Sequence, residues 1–281
     1  MLIRCWGARG SIPVSGKEYE RYGGDTCCLE IRTKDDHIVI IDAGTGIRRL
    51  GNRLLTENRH NYTMIFTHTH WDHVMGFPFF KPIYLTDTRI DLAGCPFTRS
   101  SFREMIASVM APPYFPVNFG DIEADIRYQE TCQETCQETF QIGGMTITPI
   151  PISHPNQGRG YRFEEEGKSF VFLTDNELTY RHPGGLEYED YRAFAKKADL
   201  LVHDAEYLPE DYLLTRTWGH SVYTDAIRLA LDAGVVRLGL FHHNQDRTDE
   251  AVDGMVHDCR RIAAGRPLEC FALRQDMEIS L

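Results

Sequence analysis

Four side chains of the kinds that bind metal ions fall within the six residues 68–73. They are His68, His70, Asp72 and His73, and they directly follow the apolar segment YTMIF. Imidazole and carboxylate groups are the usual ligands of zinc and similar ions. In an extended segment residues i and i+2 face the same side, so His68 and His70 can bind one ion. Asp72 and His73 point elsewhere and suit a second ion, and the H-x-H-x-D-H spacing therefore indicates a metal site.

Short apolar segments that end in a metal-ligand or acidic residue recur along the chain, and we predict them to be buried strands. Their ends carry Asp42, the 68–73 motif, His154, Asp175, His203 with Asp204, and His242 with His243. Sites outside the ends of strands are typical of layered α/β proteins, so we expect these residues to meet. Helices are predicted among the later strands, at residues 221–234 and 248–265, and each closes on a glycine.

Composition and charge limit the classes of function. The chain has 281 residues, 42% of them hydrophobic, and its formal net charge is −11. This charge argues against long nucleic acid as the partner, because phosphate neutralisation dominates such binding. There is neither an apolar run of about 18 residues that would predict a transmembrane helix nor an apolar signal segment. We therefore expect a cytoplasmic protein without membrane contact, whose eight cysteines are mostly small core residues.

The chain contains a four-residue unit written three times, QETCQETCQETF, at residues 129–140. We interpret it as a duplicated surface loop or hairpin, with a metal site at Cys132 and Cys136 as the alternative. No linker-like tract divides the sequence, so we predict a single domain over residues 1–281. Within it, residues 96–141 are predicted to form an insertion or lid.

The segment HTHWDH resembles the metal motif of the metallo-β-lactamase superfamily, and the later strand ends extend this resemblance over nearly the whole chain. The resemblance implies an α/β fold, the four-layer αβ/βα sandwich, with two divalent ions at one edge. The matching ligands are His68, His70 and His154 for one ion, Asp72, His73 and His242 for the other, and Asp175 as the bridge. His243 stays open as the alternative to His242. Zinc is the expected ion, with manganese and iron as alternatives.

Further segments resemble one branch of that superfamily, the ribonuclease Z and small-molecule phosphodiesterase branch. They are VHDAEY and TWGHS, together with GARGSIPVSG, YGGDTCCLEIR and IIDAGTGIRRLG near the N-terminus. The branch pairs an acidic residue with a histidine of a G-H-S segment, here Asp204 and His220, although ribonuclease Z has glutamate in place of Asp204. The resemblance implies that His220 protonates the leaving group, with packing at a helix start as its alternative role. Asp72 joins these two in the expected catalytic set.

Aromatic residues and the remaining histidines have simpler interpretations. Phe77, Phe79 and Phe80 in GFPFF match aromatics after the metal motif of related phosphodiesterases, and they are equally explained as core residues. The remaining histidines are expected at the surface: His37, His60, His182 and His257.

We therefore expect a dinuclear metal-dependent hydrolase in which a metal-bound hydroxide attacks small, cyclic-nucleotide-like phosphodiesters. The alternatives are a lactonase or thioesterase on the same metals, a tRNA 3′-processing endoribonuclease, and a non-enzymatic binding protein of the same fold. Bacterial ribonuclease Z carries a long tRNA-binding arm between the third histidine and the bridging aspartate. Here the interval between His154 and Asp175 is residues 155–174, only 20 residues. The resemblance also implies a homodimer.

Overall fold

Two seven-stranded sheets form the framework of the protein, and the computed structural model describes residues 1–93, 99–128 and 139–281. The strands of the N-terminal half are β1 (Leu2–Gly7), β2 (Cys28–Arg32), β3 (Ile38–Ile41), β4 (Asn61–Ile65), β5 (Arg89–Ala93) and β6 (Asp125–Tyr128). Those that follow are β7 (Phe140–Ile142), β8 (Met145–Pro151), β9 (Arg159–Glu165), β10 (Lys168–Leu173), β11 (Leu200–Asp204), β12 (Arg237–Phe241), β13 (Glu269–Ala272) and β14 (Glu278–Ser280).

Seven α-helices accompany these strands within the described residues. They are α1 (Ile47–Thr56), α2 (Trp71–Val74), α3 (Arg99–Val109), α4 (Tyr188–Phe194), α5 (Tyr212–Thr215), α6 (Tyr223–Ala233) and α7 (Asp249–Ile262). The two predicted helices are confirmed as α6 and α7. Gly234 ends α6 in the left-handed conformation, and the Thr248 side chain caps α7 by accepting from the Ala251 amide. No helix among the described residues is long and apolar enough to cross a membrane.

The strand order brings the parallel strands of both sheets to the same edge of the molecule. The first sheet has the order β14-β1-β2-β3-β4-β5-β6, and the second has β13-β12-β11-β10-β9-β8-β7. Strands β3 to β6 are mutually parallel, as are β10 to β13. Because parallel strands end on the same side, the polar residues that follow β3, β4, β10, β11 and β12 converge there.

The core is divided into three apolar layers that explain the sandwich. Side chains of both sheets, such as Val39, Phe163 and Phe172, fill the space between the sheets. The outer face of the first sheet packs on α1, and the outer face of the second packs on α4, α6 and α7. Each sheet therefore has one face on the other sheet and one on helices, which confirms the predicted four-layer αβ/βα sandwich.

The structure bears on the expectations for the repeat, the 96–141 insertion and the cysteines. The repeat lies outside the described residues except for Thr139 and Phe140, and so do Cys95, Cys132 and Cys136. In the predicted 96–141 insertion, the described part contains α3 and β6, and β6 extends the first sheet. The described cysteines are buried free thiols: Cys5, Cys27, Cys28, Cys259 and Cys270.

The expectation that four spare histidines lie at the surface is right for His37 and His257 but wrong for His182. His60 is half-buried. His182 is only 5% exposed, because its Nε2 donates to the buried carboxylate of Glu177 at 2.8 Å.

Candidate metal centre

The three histidines that the family resemblance assigned to one ion lie together with the expected bridging aspartate, Asp175, at the shared edge of the sheets. His70 Nδ1 lies 2.8 Å from His154 Nε2, and Asp175 Oδ2 lies 3.4 Å from His68 Nε2 and 3.8 Å from His154 Nε2. One potential ligand atom from each of the four lies within 4.8 Å of all the others. Three nitrogens and one carboxylate oxygen at this spacing are a donor set that suits zinc.

A second group lies directly beside the first. His242 Nε2 is 3.0 Å from Asp72 Oδ2, and His73 Nε2 is 3.4 Å from the same oxygen. Asp175 reaches this group as well, because its Oδ1 lies 3.3 Å from His73 Nε2 and its Oδ2 lies 3.3 Å from His242 Nε2. Asp175 is therefore the one carboxylate shared by both groups, as a bridging ligand would be.

The backbone at three of the strand ends is held in an uncommon conformation. Asp42 after β3, Asp175 after β10 and His242 after β12 have φ values of 61°, 51° and 60°. A non-glycine residue in this left-handed region costs on the order of 1–3 kcal/mol. The fold therefore accepts local strain to turn these side chains toward the edge, which is typical of functional sites.

Most of the clustered histidines are oriented by a hydrogen bond from the ring nitrogen that faces away from the centre. The acceptors are Asp42 Oδ2 for His73 Nδ1 (2.8 Å), Glu206 Oε2 for His242 Nδ1 (2.9 Å) and the Gly219 carbonyl for His154 Nδ1 (2.8 Å). The opposite nitrogens point inward, and the buried Nε2 atoms of His68 and His73 have no hydrogen-bond partner among the described residues. Oriented imidazoles with orphaned inner nitrogens fit a bound divalent metal.

The electrostatics of the cluster also favour a cation. Burial lowers the pKa of His68 well below 6.5 and that of His154 to about 3, so both rings stay neutral and able to bind a metal. Burial acts to raise the pKa of Asp175, but the facing His242 and His73 hold it well below its usual range. Despite burial, the surrounding negative groups raise the pKa of His73 and of His242 well above 6.5. A field that favours protons on these rings also favours divalent cations between them.

His220 stands beside the second group and is paired with two carboxylates. Its Nδ1 lies 2.6 Å from Asp204 Oδ2 and 3.3 Å from Glu206 Oε2. Its ring stacks on that of His242, with the centroids 4.7 Å apart. Burial acts to lower the pKa of His220, but Glu206 and Asp204 more than offset this effect and raise the pKa to about 9. The imidazole is therefore a buried acid that keeps its proton at neutral pH.

A buried glutamate holds the loop that presents His220. Glu177 accepts hydrogen bonds from four groups: the Thr217 amide (2.8 Å), the Gly219 amide (2.9 Å), the Tyr212 hydroxyl (2.5 Å) and His182 Nε2 (2.8 Å). Gly219 is required at its position, because a Cβ there would lie 2.1 Å from His154 Nδ1 and its φ is +96°. The loop thus fixes both His220 and a histidine of the first group.

The structure also locates His243, the alternative to His242 as a ligand, and the aromatic residues of the GFPFF segment. His243 faces away from the cluster, and its Nε2 donates to the Leu273 carbonyl at 2.8 Å. Phe77 and Phe80 are buried in the apolar layer that contains α1. Phe79 is 54% exposed and packs edge-on against Phe115, with the ring centroids 5.5 Å apart. The core interpretation therefore holds for Phe77 and Phe80.

Three acidic residues shape the site beyond the assigned ligands. Sequence reasoning gave no role to Glu206 and Glu177, and it expected Asp42 only as one of the strand-end residues that meet. A signal for each was present in the chain. Asp42 directly follows the buried strand β3, while Glu206 and Glu177 each lie two residues after a predicted site aspartate. Carboxylates at such positions can accept from the outer nitrogen of a ligand histidine or from the loop that carries it.

Residues 37–243 match the family model of the Beta-lactamase superfamily domain. The chain belongs to the beta-lactamase superfamily. Ribonuclease Z of Oceanobacillus iheyensis is 22% identical over 246 residues, which cover 71% of this chain and 77% of that protein. Ribonuclease Z of Haloarcula marismortui is 23% identical over 303 residues, which cover 92% and 91%. The superfamily member therefore lies in the ribonuclease Z-like branch.

Solved structures show the same fold along the full length of this superfamily member. A metallo-beta-lactamase fold protein from Bacillus subtilis has a TM-score of 0.71 and 15% identity, with 99% and 98% of the two chains covered. A diphosphatase of the PhnP family has a TM-score of 0.66 and 14% identity, with 100% and 97% covered. The short form of human tRNase Z has a TM-score of 0.63 and 16% identity, with 100% and 99% covered. Family and donor groups together imply divalent metal ions.

Proposed function

We propose that this metal-dependent hydrolase is a phosphodiesterase that acts on small, cyclic-nucleotide-like phosphodiesters. The observation that carries the proposal is the contact of His220 with Asp204 at 2.6 Å, directly beside the metal-binding groups. A sugar oxygen leaves phosphorus as an alkoxide unless it receives a proton, so cleavage of such a bond needs an acid at this place. A thioester does not need this dedicated acid, because a thiolate leaves without a proton, whereas a lactone releases an alkoxide and is separated from a phosphodiester by the substrate panel below.

The proposed ligands are those that the structure brings into the two groups. One ion would take His68, His70 and His154, the other would take Asp72, His73 and His242, and Asp175 would be shared between them. When bound, divalent ions, zinc in the first instance, supply a water of lowered pKa and positive charge for the phosphate oxygens.

The protein's own groups would donate the proton and hold the reacting groups in position. His220 Nδ1 donates to Asp204, which leaves Nε2–H as the proton donor for the departing sugar oxygen. Asp204 is itself held by the amides of Glu206 and Ser221, which donate to its Oδ1 at 3.1 and 3.0 Å. The Ser11 amide donates to Asp72 Oδ2 at 2.8 Å and keeps that carboxylate turned toward the second group. Preorganised groups of this kind stabilise a transition state without reorganising.

A cavity of about 420 Å³ opens beside His220. Its other lining residues include Ser11, Tyr207, Leu214, Trp218, Asn244 and Arg247. Small-molecule sites have volumes of roughly 300–1,000 Å³. The side chains of Leu214 and Trp218 are 85% and 62% exposed, so they offer apolar surface to a planar base. The size of the cavity supports a small substrate, and its lining also contains the acidic residues Glu206, Asp211 and Asp246.

The connection between His154 and Asp175 also supports a small substrate. It consists of β9, β10 and their turns, all among the described residues, and it holds no inserted arm. The free thiols of the described cysteines support action in a reducing cytoplasm.

The curated relatives named ribonuclease Z favour a second candidate, a tRNA 3′-processing endoribonuclease. This candidate uses the same metals and the same acid, because its leaving group is also a sugar oxygen. It differs in needing a basic surface for a long polyanion, whereas the net charge of this chain is −11.

A substrate panel with metal-reconstituted protein separates these functions. The panel contains a 3′,5′-cyclic nucleotide, bis-(p-nitrophenyl) phosphate, a precursor tRNA, a lactone and an S-acyl thioester. We expect turnover of the first two and little or none of the others. Faster cleavage of the precursor tRNA than of the cyclic nucleotide would favour the endoribonuclease. Turnover of only the lactone or the thioester would refute a phosphodiesterase.

A further inference from the structure

Cys27 lies against the second metal-binding group, although no metal role has been assigned to it above. Its side chain is fully buried immediately before β2, and its Sγ joins Asp72, His73 and His242 in a set whose potential ligand atoms all lie within 4.8 Å of one another. The thiol donates to the Arg9 carbonyl oxygen at 3.5 Å, an ordinary distance for sulfur. Its sulfur also contacts His242, so it already faces the cluster.

A second observation points to a ligand at the same place. His73 is fully buried, and its Nε2 makes no hydrogen bond within the described residues. Its outer nitrogen is already held by Asp42. An orphaned, inward-facing imidazole nitrogen marks a position where a metal ion would be bound. Cys27 Sγ therefore lies among the donor atoms that face the inner nitrogen of His73.

We propose that Cys27 is a thiolate ligand of the second ion, together with Asp72, His73 and His242. On metal binding the S–H bond would break, its proton would pass to the buffer, and a sulfur–metal bond would replace the S–H···O hydrogen bond to Arg9. Sulfur, nitrogen and oxygen donors in one set suit zinc and cobalt. A thiolate also disfavours magnesium and manganese, which prefer oxygen ligands. The inference rests on the proposed two-ion site and is independent of the substrate.

Cobalt(II) reports this bond directly, because a thiolate ligand gives cobalt an intense charge-transfer band in the near ultraviolet. Metal-free full-length protein is titrated with cobalt(II), and the bound ions are counted by metal analysis. We expect two ions and a sulfur-to-cobalt band that grows with occupancy of the second position. We expect Cys27→Ser to bind cobalt with the ligand-field spectrum but without this band, and to bind the second ion about 10–100-fold more weakly.

The neighbouring cysteine offers a matched control. Cys28 lies on the opposite face of β2, in the apolar layer that contains α1, so Cys28→Ala should keep both the band and the affinity. A band that persists in Cys27→Ser, the lack of a band in wild-type protein with two cobalt ions, or binding of only one ion would overturn the inference. If the band appears as expected but no phosphodiester is cleaved, Cys27 stands as a ligand while the proposed function fails.

Discussion

Replacing His220 by alanine should separate its role as an acid from any role in holding the metals. Its imidazole is not among the proposed ligands, although its ring atoms form a further set of potential donors with Asp175, Asp204 and His242. Its Nδ1 pairs with Asp204 and Glu206, and its ring contacts those of His154 and His242. We therefore expect His220→Ala to retain both metal ions. The variant loses the group that donates a proton to the leaving oxygen.

The size of the effect follows from the state of that proton. Because Glu206 and Asp204 raise the pKa of His220 to about 9, the protonated form predominates at pH 7. General-acid catalysis contributes about 10²–10⁴-fold, which is about 3–5 kcal/mol of transition-state stabilisation. His220→Ala should therefore lower kcat/KM for a 3′,5′-cyclic nucleotide by that factor. Bis-(p-nitrophenyl) phosphate should lose much less, because nitrophenolate leaves without a proton.

Asp204→Asn should show a weaker form of the same split. The change removes the charge 2.6 Å from His220 but leaves Glu206 at 3.3 Å, so the pKa of His220 falls from about 9 toward 6.5. Since the acid form is active, activity is lost as pH rises through this pKa. The alkaline limb of the pH–rate profile should therefore move to lower pH in Asp204→Asn.

The assay compares kcat/KM on both substrates together with metal content for each variant. His257→Ala, which removes an exposed histidine of α7, is the matched control and should resemble wild type throughout. An equal loss on both leaving groups, or a loss of metal from His220→Ala, would refute the assignment of His220 as the acid.

Three further predictions concern the support of the centre and the assembly. Asp42→Asn should weaken metal binding about 10–100-fold in a chelator competition, because it alters the acceptor 2.8 Å from His73 Nδ1; unchanged affinity would show that Asp42 does not orient the ligand. Gly219→Ala should lose metal and activity together, since its Cβ would lie 2.1 Å from His154 Nδ1; metal analysis and thermal unfolding test this, and a wild-type metal content would contradict it. Light scattering at micromolar concentration should give a homodimer, and a monomer would refute that prediction.

The sequence predicted the elements that carry the site because each element leaves a strong local pattern. Asp175 and His242 end buried strands, and the parallel order of those strands brings the two side chains within 3.3 Å. The H-x-H-x-D-H spacing likewise predicted that His68 and His73 lie together after β4, and the structure has His73 in the short helix α2. Their partners in the second half of the chain were named through family resemblance, because spacing along one chain does not show which strand ends meet.

The residues that sequence reasoning did not assign depend on tertiary contacts without a local pattern. His182 was expected at the surface with the other histidines that matched no motif, yet it pairs with the buried Glu177, which anchors the loop around Gly219. Glu206, which follows β11, is buried where it accepts a hydrogen bond from His242, which follows the neighbouring strand β12. The sequence predicted Cys27 to be a small core residue like the other cysteines, and only the fold shows that it lies beside His242.

Hydrolysis of a 3′,5′-cyclic nucleotide by chelator-treated protein, before and after metal is restored, tests the account most directly. We predict no turnover in the metal-free protein and recovery that is complete only when two equivalents of zinc or another active divalent ion are bound. Asp175→Ala, which removes the carboxylate shared by both groups, should not recover. Turnover that persists without metal, or a fully reconstituted two-metal protein that cleaves no phosphodiester, would contradict the account.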